Sequence, residues 1–203
     1  LLAEVNHRSK NMLALVQAIA RQVARPGDKP FVDRLSSRLQ SLTASQDALI
    51  HSGWRAADVE TLIRFQLAHF RDIIGSRIIL RGPAIALSSS AAQILGMAIH
   101  ELATNASKYG ALSNDRGRIN VEWRLLDEKE QARFCIEWRE ENGPPVEPPK
   151  VTGFGTSVLG KIAQGSLNAD VTIDYAPGGL VWTLTCKDAR ALHHDEPGYE
   201  IDF

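Results

Sequence analysis

Two apolar stripes with helical spacing open the chain, and they limit what it can fold into. Val5, Ser9, Met12, Val16, Ile19 and Val23 alternate at spacings of four and three, the rhythm of a helical seam. Val32, Leu35, Leu39, Leu42, Gln46 and Leu49 repeat it. Arg25-Pro26-Gly27-Asp28 breaks the first run, and Pro30 suits the first turn of the second. Two helices joined by so short a loop form an antiparallel hairpin. A hairpin buries little by itself. Each stripe therefore needs further helices, from a second copy or from the rest of the chain. Ser52-Gly53 ends the pair, which places a boundary between a hairpin over 1–53 and the remainder of the chain.

The pattern then changes. Val59, Leu62, Ile63, Leu67, Phe70 and Ile74 predict a third helix over 56–74, and short strands are expected at 77–80 and 84–87, around Gly82-Pro83. Ser88-Ser89-Ser90 offers N-caps for a fourth helix over 89–109, with Gly110 as its C-cap. Alternating runs at 118–126 and 132–138 flank the polar turn Asp127–Gln131 and predict a strand hairpin. Residues 140–155 read as loop and 156–164 as a short helix; strands at 170–175 and 180–186 meet across Pro177-Gly178-Gly179. The fold class is α+β: the hairpin, a mixed domain over 54–187, and a polar tail over 188–203.

Composition removes several functions. Lys+Arg number 23 and Asp+Glu 24, a net charge of −1, so no basic excess points to nucleic acid. No apolar run approaches the ~20 residues that span a bilayer. Cys135 and Cys186 sit in apolar, strand-like runs, where reduced core thiols of a cytoplasmic protein are expected. Leu1 opens inside a helical pattern, so the chain is expected to be a piece of a longer protein with a sensor upstream.

Four stretches carry chemistry. His7 lies about 200° around its helix from Val5, on the side away from the seam. Arg8 and Lys10 can hold phosphate oxygens there, and Glu4 is close enough to orient the ring; Asn11 completes the stretch. A neutral imidazole is an available nucleophile near pH 7. On the fourth helix, Glu101, Asn105 and Lys108 stack on the face opposite Leu95, Ile99, Leu102 and Ala106. An amide oxygen can ligate Mg²⁺ between phosphates, an ammonium can neutralise them, and a carboxylate can accept a proton. A solvated charged face fits the same spacing equally well. Glu140, before Gly143-Pro144-Pro145, sits at a strand end where a carboxylate can accept from an adenine amino group. Gly153-Phe154-Gly155-Thr156 lets the backbone approach phosphates at a helix start. It is no Walker loop, which requires GxxxxGK[ST].

Taken in order, these stretches resemble the histidine kinases, and most closely their HWE subfamily. His7-Arg8-x-Lys10-Asn11 resembles the phosphoacceptor box. His100-Glu101-Leu102-x-x-Asn105-x-x-Lys108-Tyr109-Gly110 resembles the N-box, Trp138-x-Glu140 supplies the other two letters of the name, and Gly153-Phe154-Gly155-Thr156 resembles the last glycine box. The likeness covers roughly residues 1–187. It implies a two-layer α/β sandwich of the GHKL ATPase type behind a dimerisation and phosphotransfer hairpin. It further implies ATP and Mg²⁺, with Asn105 on the metal and His7 as phosphoacceptor. His100, Lys108, Tyr109, Glu140, Gly143 and the 153–156 loop would line the nucleotide. Where ordinary histidine kinases carry Asp-x-Gly-x-Gly, this chain has Glu140-Glu141-Asn142-Gly143-Pro144, with Asn142 in place of a glycine.

The function implied is a sensor kinase core that phosphorylates His7 and passes the phosphoryl group to a response regulator's receiver domain, with a homodimer through the 1–53 hairpin as one assembly. Two other readings use the same pocket. One is a GHKL-type ATPase or a Ser/Thr protein kinase; the other is a degenerate kinase serving as a binding module. The chemistry of the phosphate label separates them.

Overall fold

The computed structural model describes residues 2–24, 29–51, 57–128, 131–148, 154–176 and 178–189. The hairpin helices are α1 (Leu2–Val23) and α2 (Lys29–His51). Strand β1 (Ala57–Asp58) leads into α3 (Val59–Gln66) and a 3₁₀ segment, Ala68–Ile73. Next come β2 (Ile78–Arg81), β3 (Ala86–Leu87), α4 (Ser89–Lys108) and a 3₁₀ turn, Ala111–Ser113. Strands β4 (Arg118–Glu128) and β5 (Gln131–Glu141) precede α5 (Phe154–Ser157), a π turn (Val158–Ile162) and α6 (Ala163–Ser166); β6 (Ala169–Ala176) and β7 (Gly179–Cys186) finish the sheet.

That sheet has the order β2-β4-β5-β7-β6, with β2 parallel to β4 and the remaining neighbours antiparallel. Its central strands alternate, with Cys135 a buried exception on the second face. Ile119, Val121 and Trp123 of β4, Phe134, Ile136 and Trp138 of β5, and Leu180, Trp182 and Leu184 of β7 are buried on one face. Arg124, Arg139, Asp170, Thr172 and Asp174 are exposed on the other. One face packed and one face wet is the signature of a two-layer antiparallel sandwich. Helices α3, α4 and α6 cover the packed face through Leu62, Ile63, Leu95, Ile99, Leu102 and Ala163. The π turn is satisfied from the sheet: buried Trp182 donates its indole N–H to the Leu159 carbonyl at 2.9 Å.

Local chemistry explains where elements stop. The third helix is shorter than its apolar pattern predicts. Asp58 caps α3 by accepting from the amides of Glu60 at 3.1 Å and Thr61 at 3.2 Å, and also accepts from Ile85 N–H. The chain then tightens into the 3₁₀ segment. Ser88 caps α4 as expected, accepting from the Ala91 amide. The C-terminus differs from expectation: Gly110 has φ −114°, so it makes no left-handed cap. Asn142 is left-handed at φ +56°, a conformation asparagine adopts more readily than other side-chain-bearing residues. It thus takes the role of the glycine it replaces.

Helix α2 lies between α1 on one side and α3 and α4 on the other. Its small residues allow the close approach. Ser41 and Ser45 are buried, and Ala48 and Leu49 join the same core as α3 and α4. Gln66 of α3 donates to the Ser41 carbonyl and to Ser45 Oγ, both at 2.9 Å. The stripe of α1 has no such cover: Met12 is 65% and Val23 73% exposed, with Leu15, Val16 and Ile19 also open. The breaks expected at 25–28 and 52–53 and nearly all of the tail lie outside the described residues.

Candidate active site

Two loops that are distant in sequence converge on α4. Glu101, Asn105 and Lys108 run along one side of the helix, while Leu95, Ile99, Leu102 and Ala106 on the other side are buried in the core. Gly155 of α5 presses against the first member of that row. A Cβ built on Gly155 would stand 2.6 Å from Glu101 Oε2, so a side chain there would displace the Glu101 carboxylate. The N-box and the last glycine box therefore meet at Glu101. Burial pushes the Glu101 carboxyl above the usual carboxylate range, against the pull of Arg38 and Lys108. Asn105 and Thr156 are half-buried, and Lys108 and Tyr109 are exposed. Gly153 lies outside the described residues, as does the side chain of Phe154.

Glu140 stands at the end of β5, inside the packed layer. It is only 3% exposed and sits on the packed face of β5, two residues after Trp138. Oε2 accepts from the Ala111 amide at 2.7 Å, and Oε1 accepts from the indole N–H of Trp138 at 3.2 Å. The carboxylate is turned inward onto protein donors. Burial raises its pKa, and these two hydrogen bonds oppose that rise. Gly143, close by, packs on Ala111; a Cβ there would come within 2.8 Å of the Ala111 Cα.

The start of the N-box is covered by the hairpin. Ser37 Oγ and His100 Nε2 share a hydrogen bond of 2.7 Å, and Arg38 Nε stands 3.8 Å from Glu101 Oε1. Burial chiefly, then the nearby His69 and Lys108, lowers the His100 pKa; the neutral ring suits a partner hydroxyl. Nothing in the spacing of the sequence pointed to Ser37, to Arg38 or to Arg77, whose guanidinium holds the segment after α4. The side chains of Glu4, His7, Arg8, Lys10 and Asn11 lie outside the described residues, although their backbone is helical.

Register fixes the level of His7 all the same. Ser45 lies at Gly96 and Ser37 at His100, so α2 and α4 are antiparallel. Because α1 and α2 form a hairpin, α1 runs in the direction of α4, and His7 falls near the level of Ser45 and Gly96. Asn105 is nine residues further along α4, about 13 Å at 1.5 Å per residue.

The donors fit a magnesium nucleotide. Mg²⁺ takes hard oxygen ligands, typically one or two from side chains with phosphates supplying others. Asn105 and Glu101 offer such oxygens beside a lysine. Among the described residues no group of three or more His, Cys, Asp or Glu is placed to hold a metal by itself. Cys135 and Cys186 are both free and buried, as expected, and the Cys186 thiol is pushed up to about 12 by burial.

A two-layer sandwich behind a helical hairpin is a fold of the GHKL type. Solved structures agree on the fold. The histidine kinase domain of the Erythrobacter litoralis blue-light activated histidine kinase superposes with a TM-score of 0.59 at 21% identity, covering 97% of this chain and 95% of that one. The particular likeness is to the HWE histidine kinases, whose family model matches residues 4–84. Blue-light-activated histidine kinases of Brucella anthropi and Brucella ovis are each 37% identical over 180 residues, 88% of this chain. The chain spans 37% of the length of those relatives.

Proposed function

We propose that this chain is the catalytic core of a sensor histidine kinase, which phosphorylates His7 from Mg-ATP and passes the phosphoryl group to a response regulator aspartate. The observation that carries this reading is the meeting of Gly155 with Glu101 on the Asn105 helix, because it assembles a phosphate-approaching backbone and a metal-ligating row in one place. Asn105 would hold Mg²⁺, which supplies neutralisation of the charge between the phosphates. Lys108 and the 153–156 backbone would bind the remaining phosphate oxygens. The reaction forms an N–P bond at the His7 ring and breaks the bond from the γ-phosphorus to the bridging oxygen, releasing ADP. Such chemistry asks mostly for position and charge stabilisation. Glu101, its carboxyl raised by burial, is suited to take the ring proton.

Within one chain, the register of α1 against α4 sets His7 back from Asn105. The hairpin must therefore leave its docked position, breaking the contacts of Ser37 and Arg38 with the N-box, before transfer. The hairpin over 1–53 acts as the phosphoacceptor unit and 54–187 as the nucleotide unit. The open stripe Met12, Leu15, Val16, Ile19 and Val23 supports pairing with a second copy, since contiguous exposed apolar surface marks contact sites. A sensor preceding the hairpin and a receiver domain as partner accord with the likeness to HWE histidine kinases, in a cytoplasmic setting. Incubation with γ-labelled ATP and Mg²⁺ tests the reading: the protein should acquire an acid-labile, alkali-stable label that His7→Gln abolishes. Acid-stable label, or free phosphate without protein label, favours the ATPase or Ser/Thr kinase instead.

A further inference from the structure

Glu101 is held between two elements that the sequence keeps far apart. Its Oε2 faces Gly155 of the glycine loop, and its Oε1 stands 3.8 Å from Arg38 Nε of α2. The Arg38 and Glu101 side chains are 26% and 18% exposed, so the pair is drawn in from the surface without being sealed from water. It lies where the glycine loop meets the Asn105 row. The hairpin therefore brings a second cation to this row, beside Lys108 of α4 itself, and both act on the same carboxylate.

The backbone that carries Arg38 is fixed. Ser37, its neighbour, shares the 2.7 Å hydrogen bond with His100, and the Ser41 carbonyl one turn on accepts from Gln66 at 2.9 Å. A rotation of the side chain alone can thus redirect the guanidinium. Its pairing with Glu101 is weak: a single ion pair at 3.8 Å that water still reaches contributes little. A terminal phosphate carries more charge than a carboxylate and presents three oxygens, and a planar guanidinium meets such a group through two parallel N–H···O bonds. Position selects the terminal phosphate over the others. Glu101 lies one turn before Asn105, at the end of the row over which the hairpin is docked. The phosphorus that His7 attacks must face the hairpin, so its oxygens fall nearest Arg38.

We infer that Arg38 is a ligand for the terminal phosphate, carried into the nucleotide site by the hairpin: it pairs with Glu101 in the nucleotide-free protein and passes to the γ-phosphate when Mg-ATP fills the Asn105 row. This rests on the kinase reading. ADP lacks the group that draws Arg38 away, so the residue distinguishes the two nucleotides. The exchange has a second consequence. It dissolves one of the two contacts that hold the hairpin on the start of the N-box, leaving Ser37 on His100, and it frees Glu101 for the proton of the His7 ring.

The affinities of the whole chain for a non-hydrolysable ATP analogue and for ADP, each with Mg²⁺ and measured by isothermal titration calorimetry, test it. Arg38→Gln should weaken binding of the analogue by about tenfold, the scale of a charge-assisted hydrogen bond, and that of ADP by less than about twofold. Arg38→Lys keeps the charge but not the fork, and should recover part of the loss. It also serves if Arg38→Gln does not fold: a ratio of the two affinities shifted by about twofold or more then supports the inference, and an unchanged ratio overturns it. A contact that is only structural would alter both nucleotides alike. Equal weakening of the two in Arg38→Gln, or no change in either, therefore overturns the inference while the kinase reading stands. A wild-type chain that binds neither nucleotide removes the kinase reading, and the inference with it.

Discussion

Gly96 lies where α4 passes closest to α2, and Gly96→Ala puts two effects in opposition. Helix propensity alone favours alanine over glycine inside a helix by about 1 kcal/mol. The contact opposes it. A Cβ at position 96 would overlap Ser45 Oγ and come within 2.8 Å of Gln66 Nε2. Ser45 can rotate away only by giving up its bonds to the Ser41 carbonyl and to Gln66, each contributing about 1 kcal/mol in a buried site. Residual overpacking adds about 1–3 kcal/mol. The net expectation is destabilisation by roughly 2–4 kcal/mol, or about 4–16 °C in Tm at about 2–4 °C per kcal/mol for a chain of this size. Urea and thermal unfolding followed by circular dichroism measure it. Ser45→Ala removes the clashing oxygen, so Gly96→Ala should cost less in that background, a coupling that a double-mutant cycle isolates. If Gly96→Ala instead stabilises the protein by about 1 kcal/mol in both backgrounds, α2 does not dock on α4.

Three further outcomes are expected. Trp182→Phe strands the Leu159 carbonyl inside the core and should lower unfolding stability by about 1–3 kcal/mol, read by denaturant titration. Ser37→Ala removes the hydroxyl that binds His100; if the docked hairpin holds His7 back, the initial autophosphorylation rate should rise up to about fivefold, equivalent to about 1 kcal/mol, and an unchanged or slower rate counts against the latch. The third concerns Glu101, whose folded-state pKa stands above its ordinary value of 4.5. The folded protein then binds more protons, so this contribution is complete below about pH 4.5 and is lost as pH rises through the higher folded value. Glu101→Gln should flatten that part of the stability–pH curve above about pH 4.5.

Much of this architecture is legible in the sequence because period and capping are local. The four–three spacing locates α1 and α2, Ser88 marks the start of α4, and the glycine-rich turn sets β6 against β7. The features that escape are carried by small and polar residues used for fit. The hairpin's second stripe suggests helix partners without saying which, because Ser41 and Ser45 read as polar when their role is to let α4 approach at Gly96. Gln66 looks like an ordinary surface glutamine, yet it is buried and bonds across to α2. The third helix reads too long since nothing in its apolar pattern marks the switch to 3₁₀ after Gln66. Glu140 is buried for a physical reason. Strand parity puts it on the same face as Ile136 and Trp138. Alternation with a buried tryptophan is the signal that its carboxylate points inward. Arg77 has no such signal, because its partners are backbone carbonyls some 34 to 40 residues away.

The deciding observation is where the triphosphate lies. A crystal structure with a non-hydrolysable ATP analogue and Mg²⁺ should show the metal on the Asn105 amide oxygen, and phosphate oxygens beside Lys108 and the backbone near Gly155. A nucleotide bound away from α4, or phosphates out of reach of Asn105 and Lys108, would contradict the assignment of this helix as the phosphate-binding ridge.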